Sequence, residues 1–284
     1  MDDLYRAILD RSSIRRYDPQ PLDAASMGSV QQIIDGVEPL APENDFRVFH
    51  RPGMLIDREF IRSMGAYGYI VSPPHALAPF TVGERFPLVD LGYRVEQIAI
   101  GLTRLGIGTC YIGTLGREAA NRGRLDLPED SRCAALLVFG YPASSLGGRT
   151  LNAFIRSVPK WDARLPEDQV FFVGTFDRPS EAPEDLKPLI TAARFAPSAI
   201  NTQPWLFLWH DPRLHVFVKR RNSKYGRGAG QDYRFYDGGI CMANLWLARK
   251  AMNVEGRWLL PDQEAYPVPD HPPSVQPLAA LDLL

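Results

Sequence analysis

Between residues 90 and 105 the apolar side chains Leu91, Val95, Ile98, Leu102 and Leu105 recur at the spacing of one helix face, a stripe that has to be buried. Asp90 is read as opening this helix and Gly106 as ending it. A second stretch repeats the pattern: Asp237 opens it, Cys241, Leu245, Ala248 and Met252 form the stripe, and Asn253 stands where Gly106 stood. Ile240, Leu247 and Ala251 widen that second face, which predicts a helix covered on most sides and packed against the first. Short runs rich in β-branched and aromatic residues predict strands at Phe46–His50, Ala134–Phe139, Trp205–Trp209, Leu214–Lys219 and Gly256–Leu260. Strands interspersed with long helices give an α+β architecture. The proline-rich tail from Asp262 to Pro277 reads as an irregular extended arm.

The order of elements in residues 1–143 recurs with substitutions in residues 176–260. Phe195-Ala196-Pro197-Ser198 parallels Leu40-Ala41-Pro42-Glu43, and each leads into an apolar strand. Ala143–Arg149, with its Ser and Gly residues, reads as a linker. This places two subunit-like halves at 1–148 and 149–284.

The most polar loop of the second half is Ala196-Pro197-Ser198-Ala199-Ile200-Asn201-Thr202-Gln203-Pro204-Trp205. Pro197 and Pro204 restrict φ at its ends, and Ser198, Asn201 and Gln203 offer donors and acceptors suited to a planar polar ligand. On local chemistry it is equally an ordinary helix-to-strand connection. Near the start, Arg11-Ser12-Ser13-Ile14-Arg15-Arg16-Tyr17 places two guanidinium groups four residues apart beside hydroxyls, a fork that suits phosphate oxygens or a solvated helix end.

Together these two segments resemble the flavin-binding elements of nitroreductase-like FMN proteins: R-x-S-x-R followed by an aromatic, and A-P-S-x-x-N-x-Q-P-W. Gly106–Gly113 and Phe139-Gly140-Tyr141-Pro142 resemble the segments that follow in that family. Homodimeric nitroreductases build the FMN site from one element of each subunit. Here each element is present once in one polypeptide, so the chain resembles the putative TM nitroreductase type, a nitroreductase-like fold with two halves fused as an internal pseudo-dimer. The resemblance implies one FMN site per chain. It places Arg11, Ser12, Ser13 and Arg15 at the phosphate and ring edge, and Tyr111, Ile112 and Gly113 near the flavin N5. Pro197, Ser198, Ala199, Asn201 and Gln203 fall on the other side, with Arg164 and Lys160 reaching back to the phosphate. No catalytic side chain is implied, because the flavin carries the chemistry. The implied activity is electron transfer from NAD(P)H through FMN to a small organic acceptor. Its rivals are an FMN-storing protein with little turnover and other flavin chemistry on the same fold. Lys224–Gly230 is the candidate lid.

Composition narrows the alternatives. With 32 basic and 33 acidic residues among 284, no global field favours nucleic acid or an anionic membrane. No apolar run is long enough to span a bilayer, and the acidic start lacks a signal-peptide pattern. Three dispersed cysteines, Cys110, Cys133 and Cys241, suit core packing in a reducing, cytoplasmic compartment. The five histidines show no metal-ligand spacing. The expected partner is a small-molecule substrate, and the pseudo-dimer is expected to act as a monomer, with further dimerisation open.

Overall fold

The computed structural model describes residues 2–52, 73–115, 118–143, 163–266 and 268–283. Helix α1 (Asp3–Asp10) starts where the Asp2 carboxylate accepts the Leu4 amide at 2.7 Å, and α2 (Ala24–Asp35) where Asp23 accepts that of Ser26 at 2.7 Å. The first sheet is antiparallel throughout: β1 (Asp45–Pro52), β2 (His75–Val82), β3 (Gly108–Gly113) and β4 (Ala135–Gly140), in the order β1-β2-β4-β3. Helix α3 (Pro87–Arg104) joins β2 to β3, and α4 (Glu118–Leu125) lies between β3 and β4.

The second sheet has the order β5-β6-β7-β9-β8. Its strands are β5 (Phe171–Val173), β6 (Trp205–His210), β7 (Arg213–Lys219), β8 (Gly256–Leu259) and β9 (Val275–Leu283). Helix α5 (Lys187–Arg194) precedes β6, and α6 (Tyr233–Ala251) joins β7 to β8. Leaving aside β5, which pairs in parallel with β6, the order β6-β7-β9-β8 repeats β1-β2-β4-β3 strand for strand. In both sheets the long helix crosses between the second and third strands of the set. Thus the repeat extends to residue 283, beyond the expected limit of 260. The boundary expected between residues 148 and 149 lies outside the described residues.

From Asp262 to Ser274 the described residues form no helix or strand, as expected of an irregular tail, but its last residues, Val275 to Pro277, open β9. Val275, Leu278, Ala279, Ala280 and Leu281 are buried, and β9 fills the place between β7 and β8. Pro277 is accommodated because the register passes from Val216–Ala279 to Phe217–Pro277 at a bulge, the kind of position at which a sheet tolerates a residue without an amide hydrogen. Strand β2 was also hidden by a proline. Pro79 pairs with Val48 on one side, while β4 reaches only to Leu77 on the other.

Helices α3 and α6 pack face to face and form the centre of the molecule. Leu91, Val95, Ile98 and Leu102 are buried, whereas Leu105 lies past the last helical turn and is exposed. The two helices end alike. Gly106, at φ 73°, donates to Thr103 O, and Ile107 to Leu102 O; Asn253, at φ 54°, donates to Lys250 O, and Val254 to Arg249 O. A left-handed residue closes each helix by the same hydrogen-bond pattern. Their starts differ from expectation: α3 begins at Pro87 and α6 at Tyr233, so Asp90 and Asp237 lie one turn inside. Both carboxylates turn away from their own helix toward loop amides.

Candidate functional site

The N-terminal motif is carried as an extra edge on the first sheet. Ser13 bridges Thr109 in parallel, the Ile14 amide donates to Thr109 O at 2.8 Å, and Tyr17 bridges Pro142. Ser13 also hydrogen-bonds the Cys110 thiol, whose pKa burial raises against the opposing pull of Arg15 and Arg11. Ser12, Arg15 and Arg16 are half-buried along this edge.

Arg11 turns inward. Its side chain is only 4% exposed and meets the fully buried Glu96 of α3 at 3.7 Å, while its Nε and Nη1 have no hydrogen-bond partner among the described residues. The other Glu96 oxygen accepts the Tyr111 hydroxyl at 2.6 Å. Burial pushes Glu96 up to about 7, against the lowering effects of Arg11, the Tyr111 hydrogen bond and Arg164. Tyr111 sits edge-on to Tyr236 of α6, ring centres 6.3 Å apart, and the Tyr236 hydroxyl is buried without a partner among the described residues. Along β3, Ile112 is buried against β4. Beyond it Gly113 lies under Tyr233: a Cβ there would fall 2.2 Å from the tyrosine oxygen, which also accepts the Leu115 amide at 3.0 Å.

The polar loop closes the other side. After α5 the chain makes a short helical turn at Ala199–Asn201, and three non-glycine residues of the loop adopt left-handed backbone: Ile200 (φ 55°) and Asn201 (φ 50°) in the turn, and Gln203 (φ 46°) beyond it. For the β-branched Ile200 this is costly. The loop survives because its polar groups are spent on bracing it. Ser198 Oγ accepts the Gln203 amide at 2.9 Å, Gln203 accepts the Leu165 amide at 2.9 Å, and both Gln203 and Asn201 donate to Ala163 O at 3.0 Å. Asn201 Oδ1 in turn accepts Arg164 Nη1 at 3.1 Å, and Phe195 O accepts Arg164 Nη2 at 3.1 Å. Underneath, the Asp237 carboxylate accepts the Ala199 amide at 2.9 Å, and burial pushes it up to about 7 despite its hydrogen bonds. Pro197 is half-buried at the loop entrance. Trp205 is wholly buried in the core.

The structure thus gathers Arg11, Ser13, Tyr111, Gly113, Arg164, Asn201 and the loop around the junction of α3, β3 and α6. Lys160 lies outside the described residues. Sequence reasoning missed Glu96, Tyr236 and the inward role of Asp237. The one signal for Glu96 is a carboxylate within the buried stripe of α3, next to Val95 and near Ile98.

A family profile described as "Putative TM nitroreductase" matches residues 3–248 of the sequence. The chain belongs to this family. Among solved structures, a putative nitroreductase from Thermotoga maritima is similar over 100% of this chain and 94% of its own, with 18% identity and a TM-score of 0.60. That likeness shows the nitroreductase fold. A nitroreductase with bound FMN from Bacteroides fragilis aligns with 51% of this chain and 92% of its own, at 17% identity and a TM-score of 0.44. For nitroreductase A from Vibrio parahaemolyticus the figures are 51%, 70%, 18% and 0.44. No curated protein sequence matches the chain. Among the described residues, no helix of this nitroreductase-family protein is long and apolar enough to cross a membrane.

Proposed function

We propose that this nitroreductase-like oxidoreductase binds one FMN per chain, between its two repeats, and that the repeats act as an internal pseudo-dimer. The observation that carries the reading is the inward turn of Arg11 onto the buried carboxylate Glu96 at 3.7 Å, whose charge Arg164, from a distant part of the chain, also favours. Two buried guanidinium nitrogens of Arg11, Nε and Nη1, have no hydrogen-bond partner among the described residues, and they are donors of the charge and geometry that a phosphate takes. The residues present fit the cofactor. Arg11, Ser13 and Arg15 would hold its phosphate end, and Tyr111 to Gly113 with the Pro197–Gln203 loop would line the ring. FMN, when bound, supplies two-electron transfer between a nicotinamide donor and a small acceptor. The protein binds, orients and excludes water.

The test begins with the absorption spectrum of the purified protein and a count of the flavin released. NADH or NADPH is expected to bleach the bound flavin, and a quinone or nitroaromatic to restore its colour over repeated cycles. A protein that refuses added FMN refutes the reading. Bleaching by dithionite but by neither nicotinamide would assign the site to flavin storage.

A further inference from the structure

Asp90 and Asp237 occupy matching places one turn inside α3 and α6, and each reaches the loop that precedes the first strand of its repeat. Asp90 accepts the Leu40 amide at 2.8 Å, the Ala41 amide at 3.0 Å and Asn44 Nδ2 at 3.2 Å. One turn further along α3, Arg94 neutralises it at 3.1 Å and caps Ala41 O at 3.0 Å. Asp237 differs at that position. The residue one turn along α6 is Cys241, whose thiol donates to Ala193 O at 3.6 Å. The donors to Asp237 among the described residues are the Ala199 amide at 2.9 Å, the Tyr225 hydroxyl at 2.7 Å and, more weakly, Thr202 Oγ1 at 3.4 Å. Thr202 also donates to the Tyr225 oxygen at 2.7 Å. All three donors therefore belong to the strained loop or to the glycine-rich segment beside it.

That segment is built and anchored. Gln231 accepts the Asn222 amide at 3.1 Å and donates to Asn222 O at 2.9 Å. Gly230 lies directly under the Tyr225 carbonyl, where a Cβ would fall at 2.3 Å. The Tyr225 side chain is buried and stacks on Tyr233, ring centres 6.1 Å apart. Tyr233 in turn holds the end of β3 through Leu115. The connection runs from the loop through Asp237 and Tyr225 to the edge of the first sheet.

We propose that Asp237 is the positioning residue of the Pro197–Gln203 loop, holding its left-handed turn at Ala199 and Thr202 and tying it through Tyr225 to the segment 222–232. The consequence for flavin affinity rests on the FMN reading above; the consequence for the loop does not. A loop with three left-handed non-glycine residues relaxes unless it is held; its own side chains brace it from above, and Asp237 is the carboxylate placed to hold it from below.

The experiment is hydrogen exchange on the flavin-free protein, followed by FMN titration, for wild type, Asp237→Ala, Asp237→Asn and Tyr225→Phe. In Asp237→Ala, exchange across 197–203 should rise by roughly tenfold or more, the size expected for loss of a charge-assisted hydrogen bond. Residues 40–44, held by Asp90, should be unchanged. Asp237→Asn keeps an acceptor for Ala199 and should restore most of the protection. Tyr225→Phe should loosen both 197–203 and 222–232. FMN affinity should fall in the same order as loop protection. Unchanged exchange in 197–203 in the folded variants overturns the proposal, as does loosening spread equally over 40–44. If Asp237→Ala does not fold, Asp237→Asn and Tyr225→Phe decide by the same criteria. A loop loosened without loss of FMN affinity overturns the flavin part. If wild type binds no FMN, the functional reading fails while exchange still decides the role of Asp237.

Discussion

Gly92 and Gly239 stand in reciprocal contact across the α3–α6 crossing: a Cβ on Gly92 would fall 2.2 Å from Tyr236 O, and one on Gly239 would fall 2.0 Å from Val89 O. Val89 precedes Gly92 by as many residues as Tyr236 precedes Gly239, so each repeat presents the same surface to the other. Self-complementary contact of this kind is what a two-fold interface requires. It also brings the N-terminal half of α6, with Tyr233, Tyr236 and Asp237, against β3 and α3 of the other repeat.

Replacing either glycine by alanine should destabilise the protein by up to about 2 kcal/mol, because overpacking against backbone, about 1–3 kcal/mol, outweighs the helix-propensity gain of about 1 kcal/mol. Gly28, in α2, has none of the described residues within 4 Å of its Cβ position, so Gly28→Ala should be neutral or stabilising. Urea unfolding of the three variants checks the sign. Equal effects at all three positions would mean that the crossing is not packed as closely as these distances require.

Arg15→Ala should weaken FMN binding by roughly 1.5–3 kcal/mol, the range for a lost hydrogen bond to a charged group. Arg178, in the stretch Thr175–Pro179 where the second repeat would carry its own copy of the N-terminal motif, is exposed. Its replacement by alanine should leave affinity unchanged. Fluorescence titration of FMN with both variants decides, and equal losses would show that the two halves have been assigned to the wrong sides of the site.

Much of this arrangement was legible in the residues themselves. The period of Leu91, Val95, Ile98 and Leu102, and its echo at Cys241, Leu245 and Ala248, is the direct imprint of two buried helix faces. All five predicted strands formed, while β3, bounded by glycines, and β5, only three residues long, went unpredicted. Strands β2 and β9 stayed hidden because Pro79 and Pro277 argue against strand, and only the partner strands show that the register leaves room for them. Glu96 and Arg94 break the apolar stripe of α3, and a sequence does not reveal that such charges are buried, Glu96 against Arg11 from outside the helix and Arg94 between Asp90 of its own helix and Ala41 O of a loop. Asp90 and Asp237 suggested helix starts because aspartate favours that place. The amides they hold belong to loops that only the fold brings within reach.

FMN occupancy should saturate at one per chain. In the first repeat the place corresponding to Cys241 is filled by Arg94, buried, paired with Asp90, bonded to Ala41 O and lying over the Phe46 ring at 5.1 Å. The matching loop, Leu40–Glu43, has neither the serine nor the Q-P-W of its counterpart. Counting released flavin against protein by absorbance checks this, and two tightly held flavins per chain would contradict it.

Glu96 should leave a signature in the pH dependence of stability. Burial raises its folded-state pKa from the usual 4.5 to about 7, so between these values the folded chain keeps a proton that the unfolded chain has released. The sign follows from linkage: where the folded state binds more protons, stability falls as pH rises. The contribution is complete below the unfolded value and lost as pH passes through the folded one. Glu96→Gln cannot ionise and removes this slope. Urea unfolding of both proteins at intervals from pH 5 to pH 8 should therefore show the stability difference moving in favour of Glu96→Gln as pH rises, most steeply between pH 5 and pH 7. Parallel curves over that range would mean that Glu96 ionises in the folded protein as readily as in the unfolded chain, its charge compensated by Arg11 and Arg164.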